Sequence, residues 1–220
     1  MEPLPIGTHD ITGEMIPILA EDRRKHMAVF GKSGVGKTTL LRNMVMWDIR
    51  AGLGVTVIDP HGALIEEILE LIPRQRTNDV IYFNPRSRER VLGINVLECH
   101  EEEQKPLVVS GLIATLRNIW PDAWGPRTEF VLSNAAFALL DQAQPVTLVA
   151  IPKLLMEAEY RQKILRGVSN PAVLSFFDLY ENHWTERFRE EASAPLLNKV
   201  SKFITNPILR AVIGQPKSSF

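Results

Sequence analysis

A glycine-rich segment holds the residue types best suited to chemistry in this sequence. Its nine members are Gly31, Lys32, Ser33, Gly34, Val35, Gly36, Lys37, Thr38 and Thr39. Their spacing matches G-x-x-x-x-G-K-[ST], the phosphate-binding loop or Walker A motif. The glycines let successive backbone N–H groups turn toward phosphate oxygens, and the helix that follows presents its positive dipole end to the same anion. All nine residues are therefore predicted to bind a nucleotide.

Two side chains of this loop have individual roles in the prediction. Lys37 is expected to reach the β- and γ-phosphates as a catalytic and binding residue, and the Thr38 hydroxyl to ligate Mg²⁺. The sequence has no Asn-Lys-x-Asp motif of the kind that selects guanine. The predicted cofactors are therefore ATP and Mg²⁺.

The segment Asp59-Pro60-His61-Gly62 has two open interpretations. Asp followed by Pro, with Gly in the fourth place, is typical of a type I turn. The segment also follows the next predicted strand after the phosphate loop, on the sheet edge where ligands of parallel sheets bind. On that interpretation Asp59 orients water or Mg²⁺, and His61 senses phosphate.

A third segment, Trp-Gly-Pro-Arg-Thr-Glu, occupies residues 124–129. Its simplest interpretation is a helix start, with Pro126 in the first position and Glu129 in the first turn. As a functional alternative, Arg127 contacts a phosphate of its own chain or of a neighbouring one. A loose basic stretch elsewhere is predicted to be solvated surface rather than a DNA contact. It comprises Arg74, Arg76, Arg86, Arg88 and Arg90.

An acidic residue at the end of an apolar strand, the Walker B element, is missing from this sequence. Phosphate-loop ATPases use such an acid to organise Mg²⁺ and water. The nearest matches are residues 137–141 and 176–178, which both have helical periodicity and carry a single acid.

The elements that must position these residues divide the chain in two. Apolar runs at 26–30, 55–58 and 80–83 predict strands, and the periodicity at 37–50 and 63–72 predicts helices. Strands that alternate with helices favour a parallel sheet with right-handed crossovers. Residues 1–98 are therefore predicted to be a nucleotide-binding α/β part with an incomplete parallel sheet.

Residues 99–220 are predicted to be all-helical. Asn170-Pro171 indicates one helix start, and 184–204 holds a long helix that Pro195 is expected to kink or split. The expected core of this part comprises Leu112, Leu116, Phe130, Phe137 and Leu140.

Composition narrows the class of protein. The chain has 220 residues, of which 45% are apolar, and a formal net charge of −1. These values exclude a wholly disordered chain and a strongly basic nucleic-acid coat protein. Cys99, the single cysteine, cannot form an internal disulfide. No apolar run approaches the roughly 18 to 20 residues of a membrane span, so a cytoplasmic location without a transmembrane segment is expected.

Further segments give a family resemblance. Residues 20–26, which lead into the phosphate loop, and residues 57–62 and 79–85 are similar to the HerA–FtsK superfamily of DNA-pumping ATPases. Within it, the chain resembles type IV secretion and conjugative DNA-transfer ATPases of the TraD/TraG kind. Residues 124–129, 198–200 and 213–215 also resemble that family, so the likeness runs along nearly the whole chain.

The resemblance implies a RecA-like motor domain with an all-helical insertion, assembled as a hexameric ring around DNA. It also implies a membrane-bound secretion or transfer complex as partner, and a location in the cytoplasm or peripheral at the inner membrane. Asp59 and His61 would lie near the nucleotide, and Arg127 would have a catalytic role. The family's Walker B strand is expected after Gln215, so the chain resembles the N-terminal part of a longer motor. Coupling proteins often carry N-terminal membrane helices, which are not found here.

Two hypotheses for function follow. In the first, the chain is the ATP-binding portion of a DNA-translocating motor ATPase of conjugative transfer or type IV secretion. In the second, it is a non-catalytic nucleotide-binding interaction module that docks to such a complex, which the missing Walker B acid favours. A small-molecule phosphotransferase is disfavoured because no acceptor-site motif occurs. We expect this chain alone to hydrolyse ATP poorly.

Overall fold

The computed structural model describes residues 3–87 and 91–219. They form two compact units, Met1–Ile81 and Tyr82–Phe220.

The first unit begins with a two-stranded antiparallel hairpin. Strand β1 spans Leu4–Thr8 and strand β2 spans Met15–Ile18, with Leu4 opposite Ile18 and Thr8 opposite Met15. Leu4 is fully buried and packs the hairpin against the rest of the unit. The sequence analysis contained no prediction of this hairpin.

Both predicted helices of the first unit are confirmed. Helix α1 spans Lys37–Arg50 and helix α2 spans Ala63–Leu71. Each begins directly after a glycine in the left-handed region, Gly36 with φ 93° and Gly62 with φ 91°. A residue with a Cβ is strained at such angles, so the two glycines allow the abrupt change from loop to helix.

The parallel sheet predicted for this region is not present in the described residues. Segments 26–30, 55–58 and 80–83 have no regular secondary structure and form no strand pairing. Their apolar side chains are open to solvent; Phe30 is 92% exposed and Ile58 88% exposed. A strand requires a partner with which to share backbone hydrogen bonds, and alternating apolar residues alone do not supply one.

The second unit is helical, in agreement with the prediction for that part of the chain. Its helices are α3 Lys105–Ile119, α4 Pro126–Leu140, α5 Ile151–Met156, α6 Ala158–Leu165, α7 Pro171–Asp178, α8 Glu186–Thr205 and α9 Pro207–Ile213. Asn170 caps α7 by accepting a hydrogen bond of 3.0 Å from the Ala172 N–H, which confirms the predicted start. Helix α8 continues through Pro195 and is not split there.

Helix α4 is the centre of the second unit. Its buried residues include Val131, Leu132, Ala135, Ala136, Ala138 and Leu139. Three small alanines let neighbouring helices approach the α4 backbone closely, and α3, α5, α7 and α8 all contact it.

Four of the five predicted core residues lie in or against the core. Leu112 and Leu116 are buried, whereas Phe137 and Leu140 are partly buried and pack against the core cluster. The prediction for Phe130 was wrong, because its side chain is 48% exposed. Helical periodicity identifies apolar positions but does not determine which of them a neighbouring helix covers.

Candidate functional sites

The glycine-rich segment forms a tight loop before α1. Gly34 has φ 82° and Gly36 has φ 93°, so both adopt the left-handed backbone conformation that favours glycine. Gly31 also needs its small size, since a Cβ there would lie 2.8 Å from Cγ2 of Val35. Ser33, Thr38 and Thr39 are exposed beside this turn. The loop that leads into α1 therefore depends on glycine at these three positions.

Lys37 is held over this loop. Its Nζ donates one hydrogen bond to the carbonyl oxygen of Gly31 and one to that of Lys32, both at 2.8 Å. The ammonium is thus placed above the turn by the loop's own backbone. An anion that enters the loop would meet this charge at the N-terminus of α1.

Asp59 anchors the start of α2. One carboxylate oxygen accepts a hydrogen bond of 2.9 Å from the His61 N–H, and the other accepts one of 2.9 Å from the Leu64 N–H. The backbone hydrogen bond from His61 is the largest cause that lowers the pKa of Asp59, and further backbone N–H groups of the turn add to it. These side-chain-to-backbone hydrogen bonds hold the chain between Asp59 and the first turn of α2. The His61 side chain is exposed.

Helices α1 and α2 pack together close to the glycine-rich loop and to the Asp59 segment. Arg42 Nη1 lies 2.9 Å from Glu67 Oε2, which joins α1 to α2. Arg42 is five residues after Lys37, and Glu67 is four residues after Ala63. At about 1.5 Å per residue, each helix start is therefore within about 8 Å, measured along its own axis, of this ion pair.

Arg127 lies in the helical unit, near the start of α4. Its guanidinium lies over the Phe188 ring at 4.8 Å from the centroid, and Nη1 is 3.7 Å from Glu191 Oε1. The side chain remains 52% exposed. Pro126 and Glu129 occupy the first turn of α4, as the helix-start interpretation predicted.

A groove of about 600 Å³ lies next to this segment. It is lined by Ile113, Arg117, Pro121, Trp124, Gly125, Pro126, Glu129, Phe130 and Ser133. We call it the Trp124 groove. Hydrogen bonds from the Trp124 indole and from Arg117, in that order, lower the pKa of Glu129; the indole bond is 3.0 Å long.

Comparison with protein families gives a match that covers most of the chain. Residues 10–194 match the type IV secretion-system coupling protein DNA-binding domain. The chain belongs to this family. Membership assigns this coupling-protein domain a role in conjugative transfer or type IV secretion, with DNA as a partner. It also agrees with the TraD/TraG-like resemblance noted in the sequence. No curated protein and no solved structure matches the chain.

Two further properties of this coupling-protein domain concern ligands and membranes. Residues 3–87 and 91–219 contain no group of three or more His, Cys, Asp or Glu side chains arranged to hold a metal ion. Mg²⁺ is commonly bound through one or two protein ligands together with substrate phosphates, so a loop with Thr38 does not require such a group. Among the same residues, no helix is long and apolar enough to cross a membrane.

The sequence analysis missed the Trp124 groove. A signal for it exists, because Trp120-Pro121 and Trp124-Gly125-Pro126 place two large aromatic side chains around a short break between helices. What the pattern does not reveal is that Arg117 and Phe130, from α3 and α4, form walls of the same depression.

Proposed function

We propose that this coupling-protein domain is the ATP-binding portion of a DNA-translocating motor ATPase of conjugative transfer or type IV secretion. The observation that carries the proposal is the position of Lys37. Its ammonium is fixed by two carbonyl oxygens above a loop with two left-handed glycines, at the first residue of α1. That arrangement suits the β- and γ-phosphates of a nucleotide.

The residues of the loop fit Mg-ATP. Backbone N–H groups of residues 31–39 would cradle the phosphates, Lys37 would neutralise their charge, and the Thr38 hydroxyl would ligate Mg²⁺. Bound Mg-ATP supplies the phosphoanhydride bond whose hydrolysis drives movement of DNA.

A parallel sheet of the phosphate-loop kind is part of the proposal. The segments 26–30, 55–58 and 80–83 expose large apolar side chains, including Phe30, Val55, Ile58 and Ile81. Strands of a parallel sheet are normally buried on both faces, so a sheet formed from these segments would remove this apolar surface from water. Assembly into a hexameric ring at a membrane-bound transfer complex would bring Arg127 to a neighbouring subunit's nucleotide. Its guanidinium is half exposed, and release from the 3.7 Å contact with Glu191 would free it to reach that phosphate.

A specific observation favours the alternative, a non-catalytic nucleotide-binding module. The Asp59 carboxylate already accepts backbone hydrogen bonds on both oxygens. A carboxylate used in this way is less able to orient an attacking water, and no acid of the chain stands in a Walker B context.

Nucleotide binding is tested by isothermal titration calorimetry with Mg-ATP. Lys37→Ala removes a charged phosphate contact worth about 1.5–3 kcal/mol, which corresponds to about ten- to a hundredfold weaker binding. Lys25→Ala is the matched control, because Lys25 is exposed and pairs only weakly with Asp22 at 3.3 Å. Equal affinities for the parent chain and the Lys37 variant would contradict nucleotide binding at this loop.

Steady-state ATP turnover, with and without DNA, separates the motor from the module. Turnover above about 1 s⁻¹, in the usual enzyme range, that is lost in Asp59→Asn supports a catalytic acid within this chain. Binding without turnover supports the module. Because Asp59→Asn is also expected to loosen the start of α2, the Mg-ATP affinity of the variant must match that of the parent chain before a loss of turnover is assigned to chemistry.

A further inference from the structure

The Trp124 groove combines flat aromatic walls with an open mouth. Trp124 and Phe130 both line it, and Phe130 is held edge-on against Phe176 at 5.1 Å between ring centroids. A volume of about 600 Å³ falls within the range of roughly 300–1,000 Å³ that small ligands and single chemical groups occupy. Flat rings on the wall of such a groove suit a planar guest.

Two lysines of α8 place positive charge beside the tryptophans that flank the groove. Lys199 Nζ lies 6.0 Å from the Trp124 ring centroid, and Lys202 Nζ lies 5.6 Å from that of Trp120. Neither lysine has a carboxylate within ion-pair distance in the part of the chain that the structure describes. Lys199 is only 6% exposed and donates a 3.0 Å hydrogen bond to the Pro195 carbonyl. Burial, with repulsion from Lys202 second, lowers the pKa of Lys199.

The acidic groups nearby only partly offset this charge. Glu129 is engaged by Arg117 and by the Trp124 indole, and Asp122 lies on the exposed turn between the two tryptophans. Lys202, which is exposed beside Trp120, keeps a positive charge that no carboxylate pairs among the described residues, and Arg117 on the groove wall has its charge balanced by Glu129. A polyanion with planar groups complements this surface in both charge and shape.

We propose that the Trp124 groove binds bases of single-stranded DNA by stacking, while Arg117 and Lys202 contact the adjacent phosphates. This inference rests on the proposed DNA-transfer function, since it assigns the DNA partner to a particular surface. Sequence-tolerant binding of single strands commonly combines aromatic stacking with a basic track. In a duplex the bases are already stacked on one another and cannot lie against Trp124 or Phe130.

The test is fluorescence anisotropy of a labelled oligodeoxythymidine of about 16 nucleotides, titrated with the intact 220-residue chain. Phe130→Leu keeps an apolar side chain but removes the flat ring. We expect it to weaken binding at least about fivefold, the lower end of the effect of losing one base–aromatic stack. Phe130→Trp restores a ring and should retain binding. This rescue distinguishes stacking from a general packing defect.

The charge contact has its own matched pair of variants. Lys202→Gln should weaken binding and reduce the slope of log affinity against log salt by about 0.7, the value for one phosphate contact with a single strand. Lys163→Gln makes the same change at an exposed site on α6, outside the groove, and should leave both quantities unchanged. An equal effect of the two variants would indicate diffuse electrostatic binding and overturn the proposal.

Cross-linking gives the location directly. An oligonucleotide that carries 5-iododeoxyuridine should cross-link to Trp124 or Phe130 on irradiation. Cross-links confined to other residues, or full binding by Phe130→Leu, would overturn the groove as the site and leave it free for a protein partner. If the parent chain binds no single-stranded DNA at all, the proposed DNA-transfer function fails together with the groove. If it binds but cross-links only at other residues, the groove alone is overturned, so the two failures are distinguishable.

Discussion

Gly93 and Ser219 exchange two hydrogen bonds that join the two ends of the helical unit. The Gly93 N–H donates to Ser219 Oγ at 2.8 Å, and the Ser219 N–H donates to the Gly93 carbonyl at 3.0 Å. Ser218 extends this clamp, because its N–H donates to Glu98 Oε2 at 2.9 Å and its Oγ accepts from the Asn95 N–H at 3.2 Å. These hydrogen bonds therefore bring together two segments that lie 120 or more positions apart in sequence.

Gly93→Ala should open this clamp. A Cβ at residue 93 would lie 2.5 Å from Gln215 Cβ and 3.0 Å from the Lys217 carbonyl oxygen, so the backbone of the last segment has to move. We expect a loss of about 1–3 kcal/mol in the free energy of unfolding, as for other overpacked sites. Chemical denaturation followed by circular dichroism measures it.

Gly111→Ala is the control for that substitution, with the opposite expected sign. Gly111 lies within α3, and a Cβ there would meet no atom within 4 Å. Alanine should stabilise the helix by about 0.4–1 kcal/mol, because it reduces the entropy of the unfolded chain. If both variants lose the same stability, the effect at residue 93 does not come from the clamp.

Asp141→Asn should destabilise the helical unit. The Asp141 carboxylate accepts hydrogen bonds of 2.7 Å from Lys105 Nζ and 3.0 Å from the Ser169 N–H, and its side chain is only 5% exposed. Removal of a charged partner from a buried hydrogen-bonded pair costs about 1–3 kcal/mol. Glu102, the other partner of Lys105, has a side chain that is 73% exposed. Glu102→Gln should therefore lower the free energy of unfolding by less than about 1 kcal/mol.

The same pair predicts how stability depends on acid. Burial alone would raise the pKa of Asp141, but the hydrogen bonds and charge of Lys105, together with the Ser169 N–H, lower it overall. A folded-state pKa below the unfolded value means that the stabilisation is present above the ordinary Asp range near about 3.9. It is lost as pH falls through the lowered pKa. Denaturation midpoints between pH 7 and pH 2 should therefore fall less steeply in Asp141→Asn than in the parent chain, and parallel curves would contradict the assignment.

Protonation of Asp59 should release the start of α2. Its pKa is lowered mainly by the His61 N–H, so both backbone hydrogen bonds persist above the ordinary Asp range and are lost as pH falls through the lowered value. Carboxyl ¹³C NMR should report a pKa below about 3.9. Asp59→Asn should speed amide exchange at Leu64, whereas Asp10→Asn, in the exposed hairpin turn, should not. Unchanged exchange at Leu64 would leave the anchoring role unsupported.

Features that depend on neighbouring residues could be predicted from the sequence. Helices α1 and α2, the cap at Asn170 and the helix start at Pro126 all depend on contacts a few residues apart along the chain. The same holds for the loop before α1, because its two left-handed positions require the glycines of the motif. The position of the Lys37 ammonium also depends on nearby residues, because the carbonyl oxygens that bind it belong to Gly31 and Lys32.

Only the tertiary structure decided the features that depend on residues far apart in sequence. Segments 26–30, 55–58 and 80–83 have the composition of strands, yet strand pairing depends on a partner that the pattern does not specify. The exposure of Phe130, the burial of Lys199 and the Trp124 groove depend on how α3, α4 and α8 pack. Gly93 and Ser219 are 126 positions apart in sequence, so a local sequence pattern cannot predict their contact. Hydrophobic burial is non-directional, so the sequence indicates only which side chains are apolar enough to favour burial. Which of them are actually buried depends on how the helices pack.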